Sequence, residues 1–307
     1  MNGESLVSIT GFMAAAVLAP LLLGVINRTK AVFAGRRGPP LLQAYYDIAK
    51  LLRKGAVYSR TTTWVFRAGP IVLLASSLGA LAIVPLGGRA GILSFEGDLV
   101  LLAYWLGLAR FFLVLAALDT GSAFEGMGAS REVQFSALAE PALLVGLVAL
   151  ARQTDSLALA GIYGQLGAGT PWSAAPAMVM VAGALLVVFL AENARIPVDD
   201  PNTHLELTMI HEVMVLDHSG PDFAMITYAS ALKLWVLGSL LVGIVLPVRT
   251  GCPWGDLGVS VAGLVALAVV TGVIESTMAR LRLLRVPHLL AAAGALAALA
   301  LVLVWRS

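Results

Sequence analysis

Charged residues are scarce in this chain, and their scarcity excludes an ordinary soluble domain. Asp, Glu, Lys and Arg make up 12% of the 307 residues, whereas an average soluble domain carries about a quarter. Hydrophobic residues make up 59%, more than a water-soluble fold of this size can bury. The composition therefore predicts an integral membrane protein whose solvent is lipid.

Cysteine is almost absent as well. The single Cys252 excludes an intrachain disulfide and argues against an iron–sulfur or zinc site held by cysteines of this chain. The N-terminus also lacks the positive charge of a secretory signal, since MNGESL offers Glu4 before the first apolar run. We therefore expect that first run to be retained as a membrane span.

Long apolar runs are plentiful. A spanning helix takes about 20 residues, and eight runs reach that length approximately. The stretch near 156–168 is Gly-rich and too short to span. The prediction is an all-α fold, a polytopic transmembrane helical bundle of about eight spans with interfacial helices in its cytoplasmic loops, forming one transmembrane domain over 1–307. The predicted spans lie near 5–27, 68–87, 98–118, 136–152, 172–192, 224–247, 257–276 and 287–304.

Positive charge is concentrated in the loops that follow spans one, three, five and seven. These loops hold 14 of the 20 lysines and arginines, and the remaining loops and the C-terminus hold four. Because cytoplasmic loops of membrane proteins attract Lys and Arg, we expect the odd-numbered loops in the cytoplasm and both termini outside.

The first cytoplasmic loop, residues 28–67, contains AYYDIAKLLRKGAV. Its apolar residues recur at helical spacing, with Lys50, Arg53 and Lys54 on the opposite side. This pattern predicts an amphipathic helix lying at the membrane interface. Two interpretations are open: a solvated, positively charged surface helix, or a docking surface for a partner.

The loop over 193–223 is acidic. Asp200 can cap a helix that begins at Pro201, and Thr203 with Glu206 forms a capping pattern. We expect this helix to run to about Asp217 and to end before Ser219-Gly220.

Seven carboxylates crowd residues 192–222 against one arginine. Like charges raise carboxylate pKa values, and groups that titrate near neutrality suit a proton relay. His204 and His211 are candidate relay residues between this loop and the membrane. The alternative is a solvent-facing acidic helix. A zinc site is not predicted, since HEVMVLDH does not match H-E-x-x-H.

Five charged residues fall within or at the ends of the predicted spans. A lone charge at the bilayer centre costs at least about 2.5–3.5 kcal/mol, so such residues should pair or line a hydrated path. Reaching to the interface from a span end is an alternative, and it fits Glu192 and Glu275 best because they lie at or near span ends. Pro141 after Glu140 frees a backbone carbonyl one turn earlier, which suits a hydrated site. The five residues are Arg110, Glu140, Glu192, Lys233 and Glu275.

Four motifs resemble one known family. GRRGPPLLQAYYDIAKLLRK resembles the first loop of respiratory complex I subunit 1. Three further motifs resemble the formate hydrogenlyase subunit 4 branch of the same family, whose members are membrane anchors of group 4 NiFe-hydrogenases. These motifs are LDTGSAFEGMGASRE, ENARIPVDDPNTHLELTMIHE and IESTMARLRLLRVP. GPP replaces the G-P-N typical of quinone-reducing members, and the acidic loop departs from the APFDLPEAE type. Both departures favour the hydrogenase branch and put quinone binding in doubt.

The resemblance implies a membrane-embedded, non-catalytic subunit of an oxidoreductase complex in the prokaryotic cell (inner) membrane. Such a subunit anchors a soluble NiFe-hydrogenase-like redox module and couples its electron transfer to proton or sodium translocation. No cofactor or metal is expected in this chain, and iron–sulfur clusters and a NiFe centre are expected in its partners. Those partners are hydrogenase large and small subunits, a ferredoxin-like iron–sulfur subunit and antiporter-like membrane subunits, with no nucleic acid involved.

Residue by residue, the family's proton-path positions match Glu140, Glu192, Glu206 and Glu212, with Asp199 nearby. His211, Lys233 and Glu275 join this predicted path from the residue analysis above. The predicted docking residues are Arg36, Arg37, Asp47, Lys50, Arg131 and Arg195. Two other functions remain alternatives: a quinone-site-forming subunit of a complex I-type NADH dehydrogenase, and a stand-alone secondary transporter.

Overall fold

Helices form most of the chain. The structure is a computed structural model that describes residues 3–169, 175–199, 209–247 and 250–306. Two 3-10 turns, Glu212–Val215 and Leu283–Arg285, interrupt the connections. The α-helices of the described residues are α1 (Gly3–Phe33), α2 (Gln43–Leu52), α3 (Trp64–Ile83), α4 (Asp98–Asp119), α5 (Ala123–Thr154), α6 (Leu159–Gly169), α7 (Ala175–Glu192), α8 (Gly220–Val245), α9 (Pro253–Thr277) and α10 (Val286–Arg306).

Eight of these helices are long and apolar enough to cross a bilayer, which confirms the predicted number and the all-α class. Helix α6 is too short to span, as expected. The helix ends differ from the apolar runs, most of all in α5. Its 32 residues extend about 48 Å at 1.5 Å per residue, well beyond a hydrocarbon core of about 30 Å. The motif at 118–132, expected in a loop, is therefore helical from Ala123 onward.

Helix α8 lies at the centre of the bundle and packs against α1, α2, α3, α7 and α9. Small residues allow other helices to approach closely, as expected where lipid supplies little hydrophobic driving force. Gly69 on α3 faces Ala116 on α4, and Gly272 on α9 faces Ile26 and Thr29 on α1. The spans thus form one contiguous bundle.

Several connections meet at one end of this bundle, which we call the loop end: residues 34–63, 120–122, 193–199, 209–219 and 278–285. Contacts between them establish the grouping. Val57 N donates to Ser219 Oγ at 3.1 Å, and Leu281 N donates to Pro197 O at 2.9 Å. The motifs singled out in the sequence therefore converge here.

Helix α2 confirms the amphipathic helix predicted in the first loop. None of its residues is fully buried, which fits a helix lying across the bundle surface. The Tyr45 hydroxyl donates to Val17 O on α1 at 2.5 Å. At its far end, the Gly55 carbonyl lies so close to Gly220 that a Cβ there would stand 2.6 Å from the oxygen. Helix α2 is thus fastened to α1 and α8.

The helix predicted from Pro201 to Asp217 is wrong over the residues that the structure describes. Residues 209–217 contain only the 3-10 turn Glu212–Val215, and 200–208 lie outside the described residues. The physical reason is packing: the Asp199 carboxylate accepts from the backbone N–H groups of Ile210 and His211. Val213 and Met214 then pack against Gly128 of α5, so the chain folds into a compact turn.

Ser219 and Gly220 were expected to end a helix, and they begin α8 instead. Gly220 has φ +55°, a left-handed conformation that glycine adopts without steric cost. Asp217 N donates to the buried Glu125 carboxylate at 3.0 Å, which holds the preceding turn against α5. The segment before α8 is therefore defined by its contacts with α5 and not by its own helical pattern.

Candidate functional site

A buried arginine on α4 gathers three carboxylates. The Arg110 side chain is 9% exposed, and its Nε donates to Glu132 Oε1 at 3.1 Å. Its Nη1 donates to Glu140, and its Nη2 lies 2.5 Å from Glu192 Oε2. Arg110 stands near the middle of the 22-residue helix α4, so this cluster reaches well into the membrane-spanning region.

Helix α8 supplies a second cation. Lys233 Nζ lies 2.7 Å from Glu192 Oε2, so Glu192 on α7 binds both Lys233 and Arg110. A buried carboxylate is costly unless it is paired and hydrogen-bonded. The two cations meet that requirement, and they join α4, α7 and α8 through one side chain.

His211 connects this cluster to the loop end. Its Nε2 lies 3.1 Å from Glu132 Oε2, and its Nδ1 lies 3.5 Å from Asp199 Oδ2. Burial by itself lowers the pKa of His211, but the carboxylates of Glu132 and Asp199 outweigh it and leave the pKa raised. The ring therefore favours its protonated form more than an exposed histidine does.

Asp199 is the outermost carboxylate of the series. Its Oδ1 accepts from Arg280 Nη2 at 2.9 Å, and its Oδ2 accepts from the backbone N–H of His211 at 3.2 Å. Burial raises the pKa of Asp199, but His211 and Arg280 outweigh it, and the pKa ends below its usual value. Ionic contacts thus run without a break from Arg280 to Lys233, through Asp199, His211, Glu132, Arg110 and Glu192.

We call this series, together with Glu140, the ionic chain. A cavity of about 40 Å³ beside it is lined by Arg110, Glu132, His211 and Lys233, with Ser76 and Ser77 of α3. That volume is enough to hold water. Charged groups and room for water in one place are what proton movement through a low-dielectric bundle needs.

A second ionic cluster lies between α1 and α9. Glu275 has a fully buried side chain, with Lys30 Nζ at 2.7 Å and Arg195 Nη1 at 3.3 Å. Because Arg195 belongs to the 193–199 segment, this cluster ties that segment to α1 and α9. The contacts therefore give Glu275 a structural role as well.

A cavity of about 530 Å³ opens between α1, α2, α8 and the 209–217 turn. Apolar residues such as Leu23, Leu73 and Phe223 line much of it. Its polar lining comes from α2 and from the residues of the ionic chain and its surroundings. Those polar residues are Asp47, Lys50, Lys54, Glu192, Asn193, Arg195, His211, Glu212, Thr227, Ser230 and Lys233.

The structure brings together most of the residues predicted for a proton path. Glu140, Glu192, Asp199, His211 and Lys233 all belong to the ionic chain. Glu212 lines the large cavity beside His211, and Glu275 belongs to the second cluster. Glu206 and His204 lie outside the described residues.

Two central residues were not among the predicted site residues. Arg110 was noted only as a charge within a span, and Glu132 only as part of a loop motif. A signal existed for Glu132: it lies eight residues before Glu140, so both carboxylates occupy one face of α5. Two carboxylates on one face of a membrane-spanning helix require a cation nearby, and Arg110, the arginine within a predicted span, is that cation.

The predicted docking residues fall into two groups. Arg36, Arg37, Asp47 and Lys50 are exposed at the loop end. Arg195 is 7% exposed and pairs with Glu275 inside the protein; this burial argues against a docking role, and its contact with a partner stays a prediction. Arg131 is half-buried and its Nη1 donates to Met209 O at 2.9 Å, and its contact with a partner stays a prediction.

Residues 6–306 match the model of the NADH dehydrogenase family. The chain belongs to this family. It is 33% identical over 290 residues to hydrogenase-4 component C of Escherichia coli, covering 92% of this chain and 90% of that protein. It is 32% identical over 278 residues to formate hydrogenlyase subunit 4 of Escherichia coli, covering 87% of each.

More distant members of the family are also similar. One subunit of the NADH-quinone oxidoreductase of Anaplasma phagocytophilum is 25% identical over 259 residues, covering 77% of this chain and 74% of that protein. A chain of the archaeal membrane-bound sulfane sulfur reductase superposes with a TM-score of 0.83 at 20% identity, covering 98% of this chain and 99% of that one. This last likeness shows the fold. The resemblance stated from the sequence motifs is confirmed.

In the part of the chain that the structure describes, no three or more His, Cys, Asp or Glu side chains are grouped so as to hold a metal ion. The carboxylates of the ionic chain face arginine, lysine and histidine. Their arrangement suits charge coupling between protein groups.

Proposed function

We propose that this chain anchors a soluble NiFe-hydrogenase-like redox module to a prokaryotic cell membrane and couples its electron transfer to proton or sodium translocation. The names of two relatives, a hydrogenase component and a formate hydrogenlyase subunit, support the class of complex. The observation that carries the coupling is the ionic chain. It begins among the connections at the loop end and reaches the middle of α4.

The chain's own residues supply the coupling through electrostatics. Each carboxylate of the ionic chain has a cationic neighbour, and a carboxylate that loses a neighbouring cation binds a proton more readily. A redox step that shifts the 209–217 turn alters the contacts of His211 with Glu132 and Asp199. That change passes to Arg110, which shares its charge between Glu132, Glu140 and Glu192. Glu206, Glu212 and Glu275 are further proton-path residues in this proposal.

Glu140 is the proposed point at which the ionic chain leaves this subunit. Its side chain is 40% exposed, whereas those of Glu132 and Glu192 are 8% and 7% exposed. Arg110 fixes its depth near the middle of α4, where a charge that faces lipid is costly. Exposed Gln134 and Pro141 lie on the same helix. We infer that an antiporter-like membrane subunit covers this part of α5.

The redox module is proposed to dock at the loop end, on the first loop (28–67) and the acidic loop (193–223). Contacts between Val57 and Ser219 and between Gly55 and Gly220 support a common surface. Exposed Arg36, Arg37 and Lys50 lie on it, with Asp47 beside them. By the positive-inside rule this face is cytoplasmic and both termini lie outside. The module's hydrogenase-like large and small subunits and a ferredoxin-like subunit would hold the NiFe centre and iron–sulfur clusters.

Purification of the tagged chain from its native membrane tests the anchoring role. We expect a hydrogenase-like large subunit and iron–sulfur proteins to co-purify in stable amounts. Their absence from a mild-detergent preparation that retains the antiporter-like subunits would contradict the proposal.

The substitution Glu140→Gln tests the coupling role. It keeps the side-chain shape but removes the charge that Arg110 binds, so we expect proton translocation by membrane vesicles to fall at least tenfold while the complex still assembles on a native gel. Asp155→Asn is the matched control, because Asp155 is a surface carboxylate with 85% side-chain exposure. Loss of the assembled complex in Glu140→Gln would make Glu140 a structural residue.

One observation favours a second function, the formation of a quinone site. The cavity of about 530 Å³ has an apolar lining and a charged inner wall at Glu192, His211 and Lys233, which suits an amphiphile with a polar ring. The GPP and DDPNTHLE sequences count against it. Quinone reduction that depends on this chain would favour this alternative.

A further inference from the structure

We infer that His211 is a proton-operated latch that ties α5 to the 193–199 segment when its ring is doubly protonated and releases that tie when the ring is neutral. The inference deepens the proposed coupling function and rests on it for its physiological meaning. The latch itself is a property of the ring and its contacts.

The two ring nitrogens face two different elements. Nε2 stands 3.1 Å from the carboxylate of Glu132 on α5, and Nδ1 stands 3.5 Å from that of Asp199. A neutral imidazole carries one N–H and turns a lone pair toward the other side. With a carboxylate on each side, one of the two contacts would then be repulsive. Only the imidazolium attracts both carboxylates at once.

Each carboxylate keeps a cation when the ring loses its proton. Glu132 still accepts from Arg110 Nε, and Asp199 still accepts from Arg280 Nη2. Leaving a buried charge without a partner is what usually makes breaking an ion pair costly. Deprotonation of His211 avoids that cost, because both buried carboxylates keep a cation. The latch can open and close cheaply, as a switch requires.

Other charged groups around His211 set the balance. Glu132 and Asp199 favour the protonated ring, and so does the charge of Glu192 on α7. Lys233 on α8 opposes it. Arg110 on α4 and Arg280 compete for the same carboxylates, and Glu212 is the next residue in the chain. Acidic groups prevail in direct contact, which favours the closed latch.

The latch acts on the seating of the 209–217 turn. The apolar part of that seat is Val213 and Met214 against Gly128 of α5. Its polar part combines the His211 ring with contacts that do not depend on the ring proton: backbone bonds to Asp199, the bond from Asp217 N to Glu125 and the bond from Arg131 Nη1 to Met209 O. When the ring loses its proton, its tie between Glu132 and Asp199 is lost while those contacts remain, so the turn loosens around residue 211. A proton on His211 thus reports how tightly this part of the turn is docked, at the point where the ionic chain enters the membrane.

Hydrogen exchange of the purified complex tests this inference without using turnover. Peptides covering residues 209–217 would be followed by mass spectrometry between pH 5.5 and 9, with rates corrected for intrinsic exchange. We expect protection to fall in one step whose midpoint lies above the ordinary histidine pKa of about 6.5. In His211→Gln the step should vanish, and exchange at the acid end should rise to the rate that the wild type shows at the alkaline end.

A matched variant and a second substitution complete the test. His288→Gln, which changes an exposed histidine on α10, should keep the step at its wild-type midpoint. Glu132→Gln should move the midpoint to lower pH, since it removes one of the two carboxylates that favour the charged ring. A step that persists in His211→Gln, or no step in the wild type, would overturn the latch. A normal step in a complex that translocates no protons would leave the latch intact and refute the coupling function.

Discussion

Replacing Arg110 by methionine would remove the cation that three carboxylates share, and the contacts indicate where the cost falls. Methionine retains much of the apolar stem and none of the charge. Glu192 keeps Lys233, and Glu132 keeps His211. Among the residues that the structure describes, Glu140 has Arg110 as its only ion-pair partner. The loss should therefore fall mainly on Glu140.

The size of the effect follows from burial. Removing one partner of a buried ion pair costs about 3–5 kcal/mol, because a charge is left without compensation. We expect the lower end, about 3 kcal/mol, since the Glu140 side chain is 40% exposed and can bind a proton. The double variant Arg110→Met/Glu140→Gln should recover a large part of that loss, because it removes the stranded charge.

A double-mutant cycle measures this coupling directly. The free energy of unfolding of the tagged chain would be obtained by titration with SDS in mixed micelles, followed by far-UV circular dichroism. We expect a coupling energy of about 1–3 kcal/mol between Arg110 and Glu140. The pair Arg110→Met/Glu192→Gln should recover less, since Glu192→Gln also discards the contact with Lys233.

Two outcomes would refute this reasoning. If Arg110→Met unfolds with the wild-type free energy, Arg110 is not a significant partner of the three carboxylates. If the Arg110 and Glu140 substitutions are additive, the contact between them carries no energy. Arg110→Lys provides the control. One ammonium group can pair with only part of the three-carboxylate cluster, so the free energy of unfolding of this variant should lie between those of the wild type and Arg110→Met.

Two further predictions concern the junction between the first loop and α8. Gly220→Ala should destabilise this junction by about 1–3 kcal/mol, because Gly220 has φ +55° and its added Cβ would stand 2.6 Å from the Gly55 carbonyl oxygen. Limited proteolysis between α2 and α3 should therefore accelerate. Gly251→Ala is the control that separates backbone strain from crowding, because Gly251 has φ +78° and open space around it. His218 is stacked on Phe66 at 3.9 Å, and burial lowers its pKa to about 4. The unfolded state therefore binds more protons than the folded state between pH 6.5 and 4, and the free energy of unfolding should fall by up to about 3 kcal/mol as the pH drops through that window. His218→Leu should flatten this part of the curve of stability against pH. An unchanged acid dependence in that variant would show that His218 is not the group responsible.

The membrane character and the helical bundle were predictable from the sequence because both depend on local properties. A run such as 98–118 is apolar over the length of a bilayer, and lipid leaves its backbone no alternative to helical hydrogen bonds. The amphipathic helix α2 was predictable for the same reason, since its apolar spacing is visible within ten residues. Family motifs added the class of complex, which composition alone does not contain.

The acidic loop shows where local reasoning fails. Asp200, Pro201 and Glu206 form a good helix start by pattern, and the pattern says nothing about what the following residues touch. Residues 209–217 pack their apolar side chains onto α5, and Asp199 binds the backbone of the turn. Tertiary contacts of this kind override a helical preference worth a few tenths of a kcal/mol per residue.

By itself, the sequence determined that eight apolar helices cross a membrane and that titratable side chains are placed within and beside them. Only the tertiary structure decided which of those charges meet. Arg110 binds residues 22 to 82 positions away in the chain, on faces of α5 and α7 that no periodicity pairs with α4. The physical reason is that helix formation and membrane insertion depend on neighbouring residues, whereas an ion pair depends on how whole helices pack.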